Sequence, residues 1–457
     1  MIPSRVHLVG IGGIGLSGIA RILLARGHAV SGSDMQPSLL LAALTAEGAQ
    51  VHVGHRAENL GSAEMVIISS AIPPQNPEVQ EARRRGLPVL KRGEVLGDLI
   101  GPRRTVAVAG THGKTTTTGM IAQVLEAAGL APSFIIGGIP ASLGTNARHG
   151  HGEWFVIEAD EYDRMFLGLR PEVAVVTHME WDHPDCYPTP ESLQQAFAQF
   201  VRSAPNLVAC ADQEAVRQLA GAWQGQQFVR YGLSETADLR AVEVEQGGLT
   251  QRFSVRWHGE PLGCFHLPMP GQHNVCNALG ALAVAGHLGL PWRVARQALA
   301  EFRGVARRLE QKGAAAGVTV LDDYAHHPTE IRAALSALRA AYPGQRVWAV
   351  FQPHTFSRTQ AFFQEFADSL ALADQVVVLP VYPAREQGDP LAVGRRLAQQ
   401  VPGGATVFAA SLDEAARWVG QRLAPGDVLV TLGAGDGFRV GEMVLQSLRQ
   451  AAEAREP

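Results

Sequence analysis

Val106-Ala-Val-Ala-Gly-Thr-His-Gly-Lys-Thr-Thr-Thr-Thr118 is the stretch that decides the fold of this chain. Its apolar half predicts a buried strand, its two glycines predict a phosphate-binding loop, and its threonines begin a helix. Glycines let backbone N–H groups point at phosphate oxygens, and the helix directs its positive end at the same anion. Lys114 can reach the β- and γ-phosphates of a nucleotide, and the hydroxyl of Thr115 or Thr116 can complete a magnesium shell.

This stretch departs from the ordinary phosphate-loop pattern G-x-x-x-x-G-K-[ST] at one position. The first glycine of that pattern would fall at residue 108, where the chain has Val108. A chance glycine turn is therefore the alternative interpretation. The order of strand, loop, Lys-Thr pair and helix favours the phosphate loop.

Length and composition limit the possible classes of protein. A chain of 457 residues exceeds one ordinary core, and about 150 residues per domain predicts three domains. A net charge of -4 gives no reason to expect nucleic acid or an anionic membrane as partner. The four cysteines are scattered, and neither a secretion signal nor an apolar run of about 18 residues stands out. We therefore expect a cytoplasmic protein without membrane insertion.

A glycine-rich turn near the N-terminus predicts a first ligand-binding domain. A short apolar run opens into Gly10-Ile-Gly-Gly-Ile-Gly15 and an apolar helix, and Val30-Ser-Gly-Ser-Asp34 follows about twenty residues later. The pattern is typical of a dinucleotide-binding fold with Asp34 at a ribose. Glycine-rich first turns bind many diphosphates, so both NAD and a nucleotide-sugar are candidate ligands.

A third strand of this domain ends in Ser70-Ala-Ile-Pro-Pro-Gln-Asn-Pro77. This loop would lie at the carboxyl end of a parallel sheet, where such sheets bind ligands. Turn formation around the prolines is an equally good explanation. Gly97, Gly101 and Pro102 then interrupt the pattern, and we predict a domain boundary near residue 101.

Acidic side chains gather at two later strand ends. One buried strand leads into Glu158-Ala-Asp-Glu-Tyr-Asp163, and the next leads into His178-Met-Glu-Trp-Asp-His-Pro-Asp185. Clustered carboxylates beside a phosphate loop are costly unless a cation neutralises them, which favours magnesium with Glu158 as a ligand. A solvated acidic loop is the alternative. His183 is then a second metal ligand or an acid/base.

A polar stretch precedes the last helix of the central region. Residues 249–257 alternate in polarity and predict antiparallel hairpins, and Pro270-Gly-Gln-His-Asn-Val-Cys-Asn277 follows them. Asn274 is a candidate N-cap of the helix. His273 and Asn277 offer a stacking surface and amide hydrogen bonds that suit the edge of a purine.

The remainder of the chain alternates strand and helix, with one helix expected over residues 359–373, which predicts a third parallel sheet after a boundary near residue 304. Arg307 and Arg308 stand at its start, as a phosphate clamp or as a surface charge pair. Polar groups follow its strands in Asp322-Asp-Tyr-Ala-His-His-Pro-Thr-Glu330, Gln352-Pro-His-Thr-Phe-Ser-Arg358 and Gly433-Ala-Gly-Asp436. We expect them to form one rim facing the phosphate loop.

Together these motifs resemble the Mur ligases of peptidoglycan synthesis. The resemblance rests on Gly-Ile-Gly-Gly-Ile-Gly with Ser-Gly-Ser-Asp, Gly-Thr-His-Gly-Lys-Thr-Thr, Glu-Ala-Asp-Glu, Asp-His, Gly-Gln-His-Asn-x-x-Asn, Arg-Arg-x-Glu, Asp-Asp-Tyr-Ala-His-His-Pro and Gln-Pro-His. It implies three α/β domains, each built on a mostly parallel sheet. These are a Rossmann-like UDP-sugar domain (1–101), a P-loop ATPase domain (102–304) and a Rossmann-like amino-acid domain (305–457).

The resemblance implies an ATP-dependent, ADP-forming ligase that uses Mg²⁺ and serves cell-wall biogenesis, and through it cell shape and division. The lactyl carboxylate of UDP-N-acetylmuramate would take the γ-phosphoryl group of ATP, and the amine of L-alanine would attack the acyl phosphate. Attachment of a whole tripeptide to the same UDP-sugar is the alternative within the family. Alternatives outside it are a binding module that uses ATP as a switch and an NAD-dependent dehydrogenase. We expect a monomer or a weak homodimer.

The resemblance also implies residue roles. The catalytic residues would be Lys114, His183, Arg308, Asp323 and His326. The ATP-binding residues would be Gly110, Thr111, His112, Gly113, Lys114, Thr115, Thr116, His273, Asn274, Asn277, Asp322 and Tyr324. The UDP-sugar would contact Gly12, Gly13, Ile14, Gly15, Asp34, Ser70 and Ala71. The amino acid would contact Arg358 and His354, and magnesium would bind Thr115, Glu158 and His183.

Three positions depart from the family pattern. His178 stands where many members have asparagine, Tyr162 replaces a serine common in alanine ligases, and Thr355 replaces a basic residue found in some of them. The stretch Glu-Ala-Asp-Glu-Tyr-Asp also occurs in the ligase that attaches a tripeptide. These differences bear on the amino-acid acceptor more than on the class of reaction.

Overall fold

A computed structural model describes residues 1–403 and 405–453 and shows three α/β domains, each with its own sheet. Within those residues, no helix has the length and apolar character needed to cross a membrane. The fold class predicted from the sequence is confirmed. The domain boundaries near residues 101 and 304 stay predictions, and the structure places both between secondary-structure elements.

The first domain is a five-stranded parallel sheet in the order β3-β2-β1-β4-β5. Its strands are β1 (Arg5–Val9), β2 (Ala29–Asp34), β3 (Gln50–Val53), β4 (Met65–Ile68) and β5 (Val89–Lys91). Its helices are α1 (Ile14–Ala25), α2 (Leu39–Ala46), α3 (Pro77–Arg84) and α4 (Arg92–Ile100), with a 3-10 turn at Ala57–Leu60. The glycine-rich turn joins β1 to α1, so its backbone lies at the carboxyl edge of the sheet.

The central domain has a ten-stranded sheet in the order β15-β14-β13-β12-β11-β10-β6-β9-β7-β8. Its strands are β6 (Arg104–Ala109), β7 (Ser133–Ile135), β8 (Ala147–Arg148), β9 (Trp154–Glu158), β10 (Val173–Val176), β11 (Asn206–Cys210), β12 (Gln227–Gly232), β13 (Leu239–Gly247), β14 (Thr250–Trp257) and β15 (Glu260–Leu267). Its helices are α5 (Lys114–Ala127), α6 (Pro190–Arg202), α7 (Glu214–Gly221), α8 (Gln272–His287) and α9 (Trp292–Ala300), with a 3-10 segment at Tyr162–Gly168.

The middle of this sheet explains the position of the phosphate loop. Strand β6 pairs in parallel with β9 on one side and β10 on the other, and all three strands are apolar and largely buried on both faces. The acidic stretches follow β9 and β10, so their carboxylates flank the loop that follows β6. The predicted hairpins are confirmed, because β13, β14 and β15 are antiparallel.

The third domain has a six-stranded sheet in the order β16-β17-β21-β18-β19-β20, parallel except for the edge strand β16. Its strands are β16 (Glu310–Ala315), β17 (Val318–Asp323), β18 (Val347–Phe351), β19 (Gln375–Val378), β20 (Thr406–Phe408) and β21 (Val428–Leu432). Its helices are α10 (Pro328–Ala341), α11 (Phe356–Ala361), α12 (Phe363–Leu370), α13 (Pro390–Gln400), α14 (Leu412–Gly420) and α15 (Phe438–Glu453).

Two local predictions were wrong. Helix α8 begins at Gln272 with Gly271 as its N-cap, so Asn274 lies inside the helix, where its amide donates to the Pro270 carbonyl at 2.7 Å. The single helix predicted over residues 359–373 is broken at Phe362, whose φ of -117° and ψ of 31° leave the helical region.

Candidate active site

A cavity of about 870 Å³ opens between the three domains and contains most of the predicted site. It brings together the first-domain glycine turn, the phosphate loop, both acidic strand ends and the rim of the third sheet. The predicted residues that line it are Gly12, Gly13, Ile14, Gly15, Thr111, Lys114, Thr115, Glu158, His183, Arg308, Tyr324, His326, His354 and Arg358.

A second cavity of about 200 Å³ lies behind the phosphate loop, between the central and third domains. The predicted residues that line it are His112, Gly113, Thr115, Thr116, His273, Asn274, Asn277, Arg308 and Asp323. Thr115 and Arg308 line both cavities, so the two spaces meet at the phosphate loop.

The phosphate loop depends on its two glycines. Gly110 and Gly113 have φ values of 144° and 79°, in the region that favours glycine. A Cβ at Gly110 would collide with Thr177 Oγ1, and one at Gly113 would collide with Asn277 Oδ1. Val108, where the ordinary pattern has glycine, is a fully buried residue of β6, so here the loop begins only at Gly110.

Lys114 folds back over the loop and pairs with an acid from the neighbouring strand end. Its Nζ donates to the Gly110 carbonyl at 2.5 Å and to Glu161 Oε1 at 2.9 Å. Burial lowers the pKa of Lys114, but the charges of Glu161, Asp160 and Glu158 outweigh it and raise the pKa above the usual value. The ammonium group therefore stays charged and lies at the start of the helix that would face a bound phosphate.

Glu158 is a half-buried carboxylate on the other side of the loop. Its Oε2 accepts a hydrogen bond from the Gly137 N–H at 2.7 Å, and a Cβ at Gly137 would collide with it. Burial raises the pKa of Glu158 above its usual value, against the opposing effects of Lys114 and Thr115. A carboxylate, a threonine hydroxyl and the room left by a glycine fit the oxygen ligands that magnesium prefers.

His183 and Arg358 meet where the central and third domains touch. Arg358 Nε donates to Asp182 Oδ1 at 2.8 Å, and Arg358 Nη2 lies 3.2 Å from His183 Nδ1. His183 Nε2 lies 3.7 Å from Glu161 Oε1. Burial lowers the pKa of His183, but Asp182 and Glu161 raise it overall. The guanidinium of Arg358 is nearly fully buried and reaches from the third domain into the cavity.

The rim of the third sheet supplies neutral imidazoles. Burial lowers the pKa of His326 to about 4, and its Nδ1 lies 2.9 Å from the Tyr324 carbonyl. Burial and the neighbouring His326 lower the pKa of His354 to about 2, and its ring stacks on Tyr382. Both rings are therefore uncharged near neutral pH.

Arg308 lines both cavities, and Asp323 lines the smaller one beside it. Burial raises the pKa of Asp323 to about 7, although the backbone N–H groups of Leu309 and Ala325 each donate to its carboxylate at 2.7 Å. Arg308 lies 3.6 Å from Glu330 Oε1, and its guanidinium lies over the Tyr324 ring.

Some predicted site residues are engaged elsewhere in the fold. Asp322 accepts hydrogen bonds from Arg307 Nε at 2.9 Å and Thr431 Oγ1 at 2.7 Å. Asp34 Oδ2 accepts a hydrogen bond from the Gly12 N–H at 3.0 Å, and this bond holds the glycine turn in place. Ser70 Oγ donates to Asp163 Oδ2 at 2.9 Å, and Ala71 is exposed beside it.

Each of the three domains matches the model of a known protein family. Residues 5–104 match the model described as "Mur ligase family, catalytic domain", residues 108–285 the "Mur ligase middle domain", and residues 307–435 the "Mur ligase, glutamate ligase domain". The chain belongs to the Mur ligase family.

Full-length relatives of this Mur ligase share its arrangement. A UDP-N-acetylmuramate–L-alanine ligase of Desulfatibacillum aliphaticivorans is 46% identical, with 97% of this chain and 98% of the relative covered. The crystal structure of UDP-N-acetylmuramate-alanine ligase from Thermotoga maritima is 29% identical, with a TM-score of 0.86 over 98% of this chain and 99% of the other. A murein peptide ligase from Psychrobacter arcticus is 26% identical, with a TM-score of 0.76 over the same shares.

Three residues of this Mur ligase that the motifs did not assign take part in the site. Glu161 and Asp182 stand inside the acidic stretches, but only the structure pairs them with Lys114 and Arg358. Arg92, at the start of α4, forms an ion pair with Asp160 across the first and central domains and lines the large cavity beside the glycine turn. No local motif marks Arg92, because a single arginine after a short strand carries no pattern.

Proposed function

We propose that this Mur ligase joins L-alanine to the lactyl carboxylate of UDP-N-acetylmuramate and converts ATP to ADP and phosphate. The observation that carries the proposal is the convergence of the first-domain glycine turn, Lys114 and Arg358 on one cavity. A diphosphate, a γ-phosphate and a carboxylate are the groups that these three elements suit. The full-length similarity to a UDP-N-acetylmuramate–L-alanine ligase supports the same substrates.

The two cavities suggest how the substrates divide the space. Gly12 to Gly15 would hold the diphosphate of the sugar nucleotide at the start of α1. The smaller cavity, with His273 and Asn277, would hold the adenine of ATP and so place the phosphates along the loop towards Lys114. Arg358 and His354 would hold the carboxylate of L-alanine.

Charge neutralisation is the main demand of the first step. An oxygen of the lactyl carboxylate attacks the γ-phosphorus, the bond to the β–γ bridging oxygen breaks, and ADP leaves with that oxygen. Two anions must approach each other for this, and Lys114 and Arg308 are half-buried cations that line the cavity where they would meet. The neutral amine of L-alanine then attacks the acyl carbon, and phosphate leaves with one oxygen of the original carboxylate.

Thr115, Glu158 and His183 would hold magnesium, which would supply further positive charge beside the phosphates when bound. The ion pair between Lys114 and Glu161 is part of the charge neutralisation that the chain's own residues supply. It keeps the ammonium at the loop and balances part of the acidic charge.

An aromatic side chain forms part of the cavity wall near Arg358. The Tyr162 hydroxyl donates to Asp185 Oδ2 at 3.2 Å, and its ring lies 5.1 Å from that of His183. Arg385 covers the same ring from the third domain. Tyr162, where serine is common in alanine ligases, therefore narrows the cavity from this side. Because the same Glu-Ala-Asp-Glu-Tyr-Asp stretch occurs in the ligase that attaches a tripeptide, Tyr162 does not decide between the two acceptors.

Phosphate release with L-alanine, L-serine, glycine and the tripeptide as competing acceptors tests the proposal. We expect release only when UDP-N-acetylmuramate, ATP and an acceptor are all present, with the highest kcat/KM for L-alanine. A higher kcat/KM for the tripeptide would contradict the acceptor assignment. Phosphate release independent of the UDP-sugar would contradict the ligase itself.

The proposed substrates bear on where in the cell the protein acts. UDP-sugars and ATP are cytoplasmic compounds, which supports a cytoplasmic location. We further expect a monomer or weak homodimer, which sedimentation velocity over a range of concentrations would distinguish.

A further inference from the structure

A second group of metal-ligating side chains lies behind the phosphate loop, away from Glu158 and His183. His112 belongs to the loop, and His178 and Glu180 follow β10. One ligand atom from each of these three side chains lies within 4.8 Å of the others. We call these three residues the histidine cluster.

Each end of the histidine cluster has a partner that would orient it. His112 Nδ1 lies 3.2 Å from Glu330 Oε1, on the side of the ring opposite the Nε2 that meets Glu180. Thr329 Oγ1 donates to Glu180 Oε2 at 3.0 Å and leaves Oε1 facing the histidines. A carboxylate behind a ligating imidazole and a hydroxyl behind a ligating carboxylate are the usual outer contacts of a metal site.

Unsatisfied nitrogen atoms point to a missing partner. Among the described residues, the buried Nδ1 of His178 has no hydrogen-bond partner. His327 Nδ1, on the facing side, lies 3.2 Å from the same Glu180 Oε1 that contacts His112. The Glu180 carboxylate and the surrounding imidazoles thus enclose a small volume, an arrangement that can hold a cation.

We propose that the histidine cluster is a zinc-type transition-metal site that is separate from the magnesium position. Two imidazoles and one carboxylate suit Zn²⁺ or Co²⁺, whereas magnesium prefers oxygen ligands. The three ligands leave a fourth position open for water or for a side chain such as His327. His178 stands where the family pattern has asparagine, so the site belongs to this chain and others with histidine there.

A metal ion at this position would stabilise the contact between the central and third domains. His112, His178 and Glu180 come from the central domain, and Thr329 and Glu330, which orient them, come from the third domain. A bound ion would fix the side chain of His112 in the phosphate loop. It would thereby hold the loop and the start of α10 in the arrangement seen here.

Metal binding to the full-length chain without a polyhistidine tag tests the proposal. In the presence of excess Mg²⁺, we expect one equivalent of Co²⁺ to bind with visible d–d absorption and to be displaced by Zn²⁺. In crystals soaked in Zn²⁺, an anomalous peak should lie about 2.0–2.2 Å from the ligand atoms of the three side chains. The proposal would be overturned if the wild type bound no more Co²⁺ than its variants His178→Asn and Glu180→Gln, or if the anomalous peak lay elsewhere.

Variants separate this site from the other histidines of the chain. We expect His178→Asn and Glu180→Gln each to weaken Co²⁺ binding at least about 10-fold. His258→Asn, at an exposed turn, and His183→Asn, at the magnesium position, should leave it unchanged. Equal Co²⁺ binding by wild type and His178→Asn would overturn the proposal, because the ion would then be held by other side chains. If a variant does not fold, the anomalous peak in the wild type decides.

Discussion

Lys114 is one of three lysines in the chain, with Lys91 and Lys312, and its surroundings differ from those of the other two. Its ammonium group is largely buried and held by Glu161, whereas Lys91 and Lys312 form ion pairs at more exposed positions. A buried cation whose partner is an acid of the proposed magnesium region is placed to move between carboxylate and phosphate.

Replacing Lys114 by Ala should lower kcat at least about 100-fold, because a buried positive group facing the transferred phosphoryl is lost. UDP-N-acetylmuramate should still bind, since its proposed site lies in the first domain. Steady-state phosphate release and calorimetric titration of the UDP-sugar measure the two effects. Lys312→Ala is the control and should keep wild-type turnover. Turnover by Lys114→Ala within a few-fold of wild type would contradict the role given to Lys114.

Glu78 shows how a buried acid supports the first glycine turn. It is fully buried and accepts hydrogen bonds from Ser33 Oγ at 2.5 Å and Asn59 Nδ2 at 2.6 Å. Burial opposes its ionisation, but contacts with His7, Ser33 and Asn59 outweigh burial and lower the pKa of Glu78 to about 2. Ser33 in turn accepts the Gly10 N–H through its carbonyl at 2.8 Å.

A carboxylate whose pKa is lowered on folding stabilises the native state above its unfolded pKa and loses that effect as pH falls. A pKa of about 2 against an unfolded value of 4.5 corresponds to about 3 kcal/mol above pH 4.5, and to about half of that at pH 3. Glu78→Gln should therefore destabilise the first domain more at pH 7 than at pH 3. Hydrogen exchange of β1 and β2 amides across a urea series measures this.

Glu81→Gln is the matched control for Glu78, because Glu81 is on the same helix and its arginine partners are on the surface. Surface ion pairs contribute little. We expect its effect to be small at both pH values. A Glu78→Gln effect that is no larger than that of Glu81→Gln would show that the buried network contributes no stability.

The phosphate loop and its flanking helices act as one element. Gly113 lies against Asn277 of α8, and Asn277 Oδ1 accepts a hydrogen bond from Thr117 Oγ1 of α5 at 3.2 Å. The loop that would hold phosphate and the helix that would hold adenine are thus in direct contact. A shift of one should displace the other.

Gly113→Ala should weaken ATP binding at least about 10-fold, because its Cβ meets Asn277 Oδ1 and its φ of 79° disfavours alanine. Equilibrium binding of a fluorescent ATP analogue measures the change. Gly97→Ala is the control, since its Cβ would meet open space within α4. Unchanged ATP affinity in Gly113→Ala would contradict the packing of loop against α8.

Local patterns account for the elements that could be predicted. Apolar runs followed by glycine identified β1 and β6 with their turns, and carboxylates after strands identified the ends of β9 and β10. The break at Phe362 and the start of α8 at Gln272 were missed, because tertiary packing and the local backbone conformation at these points leave no periodic signal. Helix boundaries depend on such contacts more than on composition.

At the scale of the whole molecule, pairs of distant residues hold the three domains around the cavity. Arg358 meets Asp182 across 176 residues, and Arg92 meets Asp160 across 68. Separations of this size cannot be read from sequence spacing, so Arg92, Glu161 and Asp182 escaped prediction as partners. The strand-end motifs nevertheless predicted which surfaces face the cavity.

Arg358→Ala should raise the KM for L-alanine at least about 10-fold and loosen the contact between central and third domains. The buried Asp182 would be left without its partner, which is costly for a buried ion pair. Small-angle scattering should show a larger radius of gyration, and steady-state kinetics should give the KM. Arg339→Ala, which removes a surface pair within the third domain, is the control. An unchanged KM for L-alanine would contradict the role given to Arg358.

Transfer of the γ-phosphoryl group to a sugar-borne carboxylate instead of water is the central claim. UDP-N-acetylmuramate labelled with ¹⁸O in its lactyl carboxylate tests it most directly, with turnover in unlabelled water and mass analysis of the released phosphate. We predict that each phosphate carries one ¹⁸O, because the carboxylate oxygen that attacks phosphorus leaves with it. Phosphate without ¹⁸O would contradict the acyl-phosphate route and the function proposed for this Mur ligase.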